Sequence, residues 1–183
     1  MTNKNIKPSV LKGSINLGFF GALWMVYPAF NFANGLQYVA ISVIAINIII
    51  IIFSIIKLRR LPSASNVKQS EEDLNTFYKV VRYQWIAILL SGVVLSLLQL
   101  QQFTAFTVMI IVGLHFWPLA KVFKQKVYYL TTILIILSGT LGIIFSGDKT
   151  EQVSYVPFVA TSIILLLTVL YLLITTYGRN NKH

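Results

Sequence analysis

Six apolar stretches divide this chain, and its basic residues fall almost entirely on alternate connections between them. An apolar stretch of about 20 residues predicts a helix that crosses a bilayer, because the hydrocarbon core is roughly 30 Å thick. Spans are predicted at residues about 15–34, 38–56, 83–102, 103–123, 127–146 and 156–177, with a cytoplasmic linker at about 57–82. The expected fold is an all-α bundle of six transmembrane helices, formed by residues 1–183 as one integral membrane domain.

The distribution of charge predicts the orientation of the chain in the membrane. Among 15 Lys and Arg residues, only Lys149 lies in a connection that the alternation places outside. Positively charged loops stay cytoplasmic, so both termini are predicted to be inside. The same bias accounts for the net charge of +10 without a nucleic acid. The lipid bilayer is therefore the expected surrounding, and no nucleic-acid partner is predicted.

This sequence lacks the residues that several kinds of chemistry require. There is no cysteine, which excludes thiolate metal sites and thiol redox chemistry. The predicted spans contain no Asp or Glu, which disfavours carboxylate-based ion coupling and acidic metal sites. The chain also lacks a nucleophile elbow, a phosphate loop and a dinucleotide fingerprint. We therefore expect no cofactor, no metal and no enzymatic activity.

The fourth span contains the most distinctive local pattern. Of all Asp, Glu, His, Lys and Arg residues, only His115 lies well inside a predicted span. An ionisable residue inside a membrane span usually belongs to a functional site. Pro118 frees the carbonyl of Leu114, which predicts a kinked, partly unwound helix there. The candidate interior polar site comprises His115, Asn47, Trp117, Pro118 and Ser138. Interhelical hydrogen bonding and packing explain the same residues, and this alternative stays open.

Small residues recur on one face of two spans. Ser14, Gly18 and Ala22 are spaced by four residues in the first span. The fifth span carries a second stripe: Thr131, Ser138, Gly142 and Ser146. Small side chains let two helix backbones approach closely, so both faces are predicted to pack against other helices.

The two halves of the chain share a weak pattern. Tyr27-Pro28 and Trp117-Pro118 both lie late in the first helix of a three-helix half. This spacing is compatible with a 3+3 inverted repeat of the kind found in many secondary transporters. Aromatic and proline residues are also common near membrane interfaces, which explains the pattern equally well.

Two classes of function fit these observations. The first is a non-enzymatic membrane protein, such as a transporter, that binds or moves a small or amphipathic molecule. The second is a structural or regulatory subunit that acts through the helices of a membrane-protein partner. A large, lipid-facing groove of small residues without an internal cavity would favour the second.

Residues 113–120, GLHFWPLA, are followed by Lys121, Lys124 and Lys126. This combination resembles the signature of an uncharacterised group of small six-helix membrane proteins from Gram-positive bacteria. The resemblance covers most of the chain by length and topology, and only the octapeptide by motif. It implies a multi-pass protein of the bacterial plasma membrane and carries over no activity and no functional residue.

Overall fold

The computed structural model describes residues 8–31, 36–60, 71–145 and 151–179, and no strand occurs within these ranges. They form six helices: α1 (Pro8–Asn31), α2 (Leu36–Arg59), α3 (Glu71–Leu97), α4 (Thr104–Val122), α5 (Val127–Phe145) and α6 (Glu151–Arg179). Each helix contains a segment long and apolar enough to cross a membrane. The predicted all-α fold with six candidate spans is therefore confirmed, whereas the orientation and the inverted repeat stay predictions.

Helices α1, α3 and α6 begin well before the apolar stretches that predict them. Helix α3 begins at Glu71, within the predicted linker, and its candidate span begins at Asn75. Helix α6 begins at Glu151, so Pro157 lies inside the helix. The helices are longer than the apolar stretches because an apolar stretch marks only the part of a helix that lipid can surround. Polar residues extend the same helix into water without changing that stretch.

Both short connections in the second half of the chain end a helix in the same way. The chain reverses after α3 with Gln99 in the left-handed region (φ 58°), and after α4 with Lys124 there (φ 52°). At the second turn, the backbone N–H of Gln125 bonds to the carbonyl oxygen of Ala120 at 3.1 Å. This is the Schellman arrangement, in which glycine usually occupies the left-handed position. The first of these turns gives the reversal that the adjoining predicted spans 83–102 and 103–123 require.

Contacts divide the chain into two compact units: Met1–Lys68 with Ser162–His183, and Gln69–Thr161. In the first unit, α1 packs closely on α2. A Cβ atom at Gly18 would lie 3.0 Å from Cγ1 of Ile51. The predicted small-residue face is correct at Gly18 and Ser14, which are buried, while Ala22 is half-buried.

In the second unit, glycines bring α4 and α5 together. A Cβ atom at Gly142 would lie 2.4 Å from Cδ1 of Phe106, and one at Gly139 would lie 3.0 Å from the Phe106 carbonyl oxygen. The predicted stripe on α5 therefore faces α4 at Gly142. Gly139 belongs to the same contact and was not part of the predicted stripe, and Ser146 lies outside the described residues.

Candidate functional site

An open groove lies between α3 and α4 in the second unit, with a volume of about 510 Å³. Its walls are mostly aliphatic and include Ile88, Gly92, Val93 and Ser96 of α3 with Thr104 and Val108 of α4. A Cβ atom at Gly92 would meet no atom within 4 Å, so the groove is open beside this glycine. The groove was not predicted from the sequence.

Two hydroxyl groups lie at the end of the groove nearest the α3–α4 turn. Ser96 and Thr104 flank this turn, which is also rich in glutamine side chains. The amide nitrogen of Gln101 lies 3.4 Å from the Ser96 carbonyl oxygen. Within the described ranges, the hydroxyls of Ser96 and Thr104 make no hydrogen bond. The groove therefore joins apolar walls to a polar, uncharged end.

His115 lies on the side of α4 that faces the groove. It follows Thr104 by eleven residues and Val108 by seven, which places all three within about 40° around the helix. The side chain is only 9% exposed, and its ring lies close to the backbone of Val80 on α3. Nδ1 is buried and has no hydrogen-bond partner. The imidazole thus lies between α3 and α4, about 10 Å beyond Val108 along the helix axis.

Gln84 adds a second polar side chain to this interface. It is 7% exposed and lies one helical turn from Val80 on the same face of α3, in the direction of the groove. The buried part of the α3–α4 interface is therefore polar on both helices. The sequence singles out His115 in this interface as the ionisable residue of an apolar span.

Ser138 joins a different polar cluster in the second unit. Its hydroxyl donates to the carbonyl oxygen of Pro157 at 3.0 Å. The Thr161 hydroxyl lies 3.3 Å from the Ser138 hydroxyl and 3.0 Å from the sulfur of Met109. Met109 precedes His115 by six residues, about 9 Å along α4. Ser138 therefore ties α5 to α6 and does not share the polar surroundings of His115.

Trp117 and Pro118 occupy positions unlike those expected for an interior site. Trp117 is 50% exposed and packs edge-to-face on Tyr129 of α5, with ring centroids 5.1 Å apart. Pro118 is half-buried, and α4 continues as a helix from Thr104 to Val122. The predicted unwinding near Leu114 was therefore wrong, since tertiary packing on α5 holds this part of α4 helical around the proline.

Asn47 belongs to the first unit and is fully buried on α2. Its Nδ2 donates to the carbonyl oxygen of Val43 at 2.9 Å, while Oδ1 has no hydrogen-bond partner and faces Gly21. The Gly21 carbonyl oxygen in turn accepts a bond of 2.7 Å from the Ser162 hydroxyl of α6. Asn47 thus belongs to a packing junction of α1, α2 and α6, whose other two members, Gly21 and Ser162, sequence reasoning missed.

Six helices long and apolar enough to cross a membrane identify a multi-pass integral membrane protein. The chain belongs to the family described as "Family of unknown function (DUF7010)", whose model matches residues 59–175. Searches of the curated proteins and of the solved structures found no match. The matched region contains α3 to α5, the groove and His115, and it agrees with the predicted membership of an uncharacterised family. The Gram-positive source and the octapeptide signature stay predictions.

Proposed function

We propose that this protein is a single-domain, non-enzymatic protein of the bacterial plasma membrane that binds or moves an amphipathic molecule in the α3–α4 groove. The apolar part of the ligand lies along the groove beside Gly92, and its polar part hydrogen-bonds to Ser96 and Thr104. Both termini are cytoplasmic in this proposal, which rests on the positive-inside distribution of Lys and Arg.

The unbonded hydroxyls at the end of the groove carry this proposal. Most other helical Ser and Thr side chains here satisfy their hydroxyls through a carbonyl one turn earlier, as Thr132 does with Tyr128 at 2.9 Å. Such a bond is the usual solution for a hydroxyl in an apolar medium. Ser96 and Thr104 leave this capacity free at the edge of an apolar groove, which suits a ligand that brings its own hydrogen-bonding group.

The lining of the groove also limits the chemistry of the ligand. No lining residue is charged. Hydroxyls and amides recognise neutral groups such as hydroxyls, esters and amides, whereas an anion calls for Arg or Lys. The volume of about 510 Å³ lies within the usual range of small-molecule sites. The proposed ligand is therefore an amphipathic molecule with an uncharged polar end.

Purification from native membranes tests this proposal. The protein is extracted in a mild detergent, washed to remove bulk lipid and analysed by mass spectrometry of the intact complex. Retention of one defined amphipathic species at about one molecule per chain supports the proposal. Release of the same mixture of lipids that the membrane contains, without enrichment of any species, would contradict it.

The second candidate is a structural or regulatory subunit that binds a partner helix. Gly92 and Ser96 are separated by four residues and both border the groove, as in the small-xxx-small pattern of helix contacts. Only 6% of the best membrane window of α3 is buried, less than in any other described helix. An open groove of this kind favours the subunit more than an enclosed cavity would. A stoichiometric protein in the native purification, in place of a small molecule, would support this candidate.

A further inference from the structure

The turn between α4 and α5 concentrates positive charge on a rigid connection. Lys121, Lys124 and Lys126 are all exposed there. The turn is closed by two backbone hydrogen bonds, from Lys124 to Lys121 and from Gln125 to Ala120. Three cationic side chains are therefore held within six residues by a fixed backbone.

Two aromatic side chains, the exposed Trp117 and the half-buried Tyr129, adjoin these lysines on the apolar side. Trp117 lies one helical turn before Lys121, and Tyr129 lies three residues after Lys126. The two rings pack edge-to-face across α4 and α5 with centroids 5.1 Å apart. Indole and phenol rings favour the headgroup level of a membrane, so this pair marks the depth at which lipid glycerol and upper acyl chains lie.

Within the described side chains, these three lysines form no ion pair. The acidic residues Glu71, Glu72 and Asp73 begin α3 in the same unit, and their side chains are not among those described. Two further cations, Lys79 and Arg82, are exposed on α3, whose Phe77 contacts Phe123 beside the turn with ring centroids 6.1 Å apart. Basic residues thus outnumber acidic ones at this end of the unit.

The backbone at Lys124 adds an independent observation. Its φ of 52° is a conformation in which glycine is normally preferred and other residues are strained. The positive-inside rule requires basic residues in this connection but not at this particular position. Gln99 has the same conformation in the α3–α4 turn, so the left-handed backbone fixes where the Lys124 side chain leaves the turn and does not by itself require a lysine.

We infer that Lys121, Lys124 and Lys126, together with the Trp117–Tyr129 pair, form a binding site for the headgroup of an anionic phospholipid. The lysines contact the lipid phosphate, and the aromatic pair contacts the glycerol and the upper acyl chain. This site lies apart from the α3–α4 groove, and the inference does not depend on the function proposed for that groove.

The test compares lipids bound to the purified full-length chain by native mass spectrometry. Phosphatidylglycerol and phosphatidylcholine are titrated in parallel, and inorganic phosphate is added as a competitor. We expect preferential retention of phosphatidylglycerol that inorganic phosphate does not displace. Equal retention of the two lipids would overturn the inference. Displacement by inorganic phosphate would also overturn it, because the site would then recognise a free anion.

Variants assign the binding to this turn. In K121Q/K124Q/K126Q, the preference for phosphatidylglycerol should fall more than tenfold, since each surface lysine contributes roughly fivefold. The matched control K57Q/R59Q removes two exposed basic residues from the end of α2, in the other unit, and should keep the preference.

Lys124→Gly relieves the backbone and should raise the Tm while weakening retention of phosphatidylglycerol. An unchanged preference in the triple variant or in Lys124→Gly would contradict the inference.

Discussion

Gly21 of α1 faces Asn47 of α2 so closely that a Cβ atom at Gly21 would lie 2.8 Å from Oδ1 of Asn47. The Asn47 oxygen makes no conventional hydrogen bond and is oriented toward the Gly21 backbone. Contacts between a Cα–H group and an oxygen recur where two helices approach at a glycine. The pair therefore sets the distance between the two helices.

The first prediction concerns this pair. Gly21→Ala should reduce the free energy of unfolding by about 1–3 kcal/mol, because the added methyl group must displace the Asn47 amide. Asn47→Ala removes that amide, so the double variant should lose less stability than the sum of the two single variants. The measurement is a double-mutant cycle of thermal unfolding in detergent. Additive losses would show that Gly21 and Asn47 are not in contact.

The second prediction separates two kinds of glycine in the second unit. Gly142→Ala should destabilise the protein by about 1–3 kcal/mol, since its Cβ atom would overlap the Phe106 ring. Gly92→Ala should be neutral or stabilising by up to about 1 kcal/mol, because its Cβ atom enters open space and alanine favours a helix. Thermal unfolding of the two variants, measured side by side, makes the comparison. Equal losses would show that α5 does not pack on α4 at Gly142.

The third prediction concerns His115. If it contributes to the ligand site, His115→Leu should lose ligand retention while the protein still inserts, and His115→Gln should retain part of it, since an amide can keep one hydrogen bond. If it only joins α3 to α4 through Val80, both variants should change stability by roughly 0.5–2 kcal/mol and leave retention intact.

Native mass spectrometry and thermal unfolding of the same preparations distinguish these two outcomes for His115. Thr140→Val is the matched control, because Thr140 is an exposed α5 residue whose hydroxyl bonds only to its own helix. Full retention of the ligand in His115→Leu would remove His115 from the site.

The fourth prediction is the orientation of the chain. The sequence contains no cysteine, so single cysteines at positions 70, 125 and 148 can be labelled without background. A membrane-impermeant reagent applied to intact cells should label the cysteine at 148 and spare those at 70 and 125. Positions 70 and 148 lie outside the described residues, and position 125 lies in the α4–α5 turn. Labelling at 70 or 125 from outside would contradict cytoplasmic termini.

The six helices could be predicted because an apolar length of about 20 residues is a local property of the sequence. The start of α3 at Glu71 could also be predicted, because Ser70 followed by Asp73 is a capping-box-like start of a helix. The start of α6 could not, because the polar residues near Glu151 are compatible with both helix and loop. Gly18 was found through its spacing, whereas Gly21 and Gly139 lie beside the predicted stripes. The angle at which two helices cross decides which side of a small-residue stripe contacts the neighbouring helix. The sequence of one helix does not contain that angle.

The candidate site was predictable only where one residue type is rare. His115 stood out as an ionisable side chain in an apolar span, and the structure places it, buried, against α3. The contacts of Thr161 with Ser138 and Met109 could not be predicted, because these residues are distant in the sequence and common in character. The groove arises where α3 and α4 fail to fill the space beside Gly92, and a gap between two helices has no signature in either of them.

The most direct test of the proposed function is to fill the groove. Gly92→Trp places an indole where a Cβ atom meets nothing within 4 Å. The matched control Val94→Trp carries the same ring about 200° around α3, at an exposed position that does not line the groove. Both variants are purified from native membranes, and the ligand retained per chain is measured by mass spectrometry. We predict that Gly92→Trp loses the amphipathic ligand while Val94→Trp keeps it. Equal retention of the ligand by both variants would contradict binding in the α3–α4 groove.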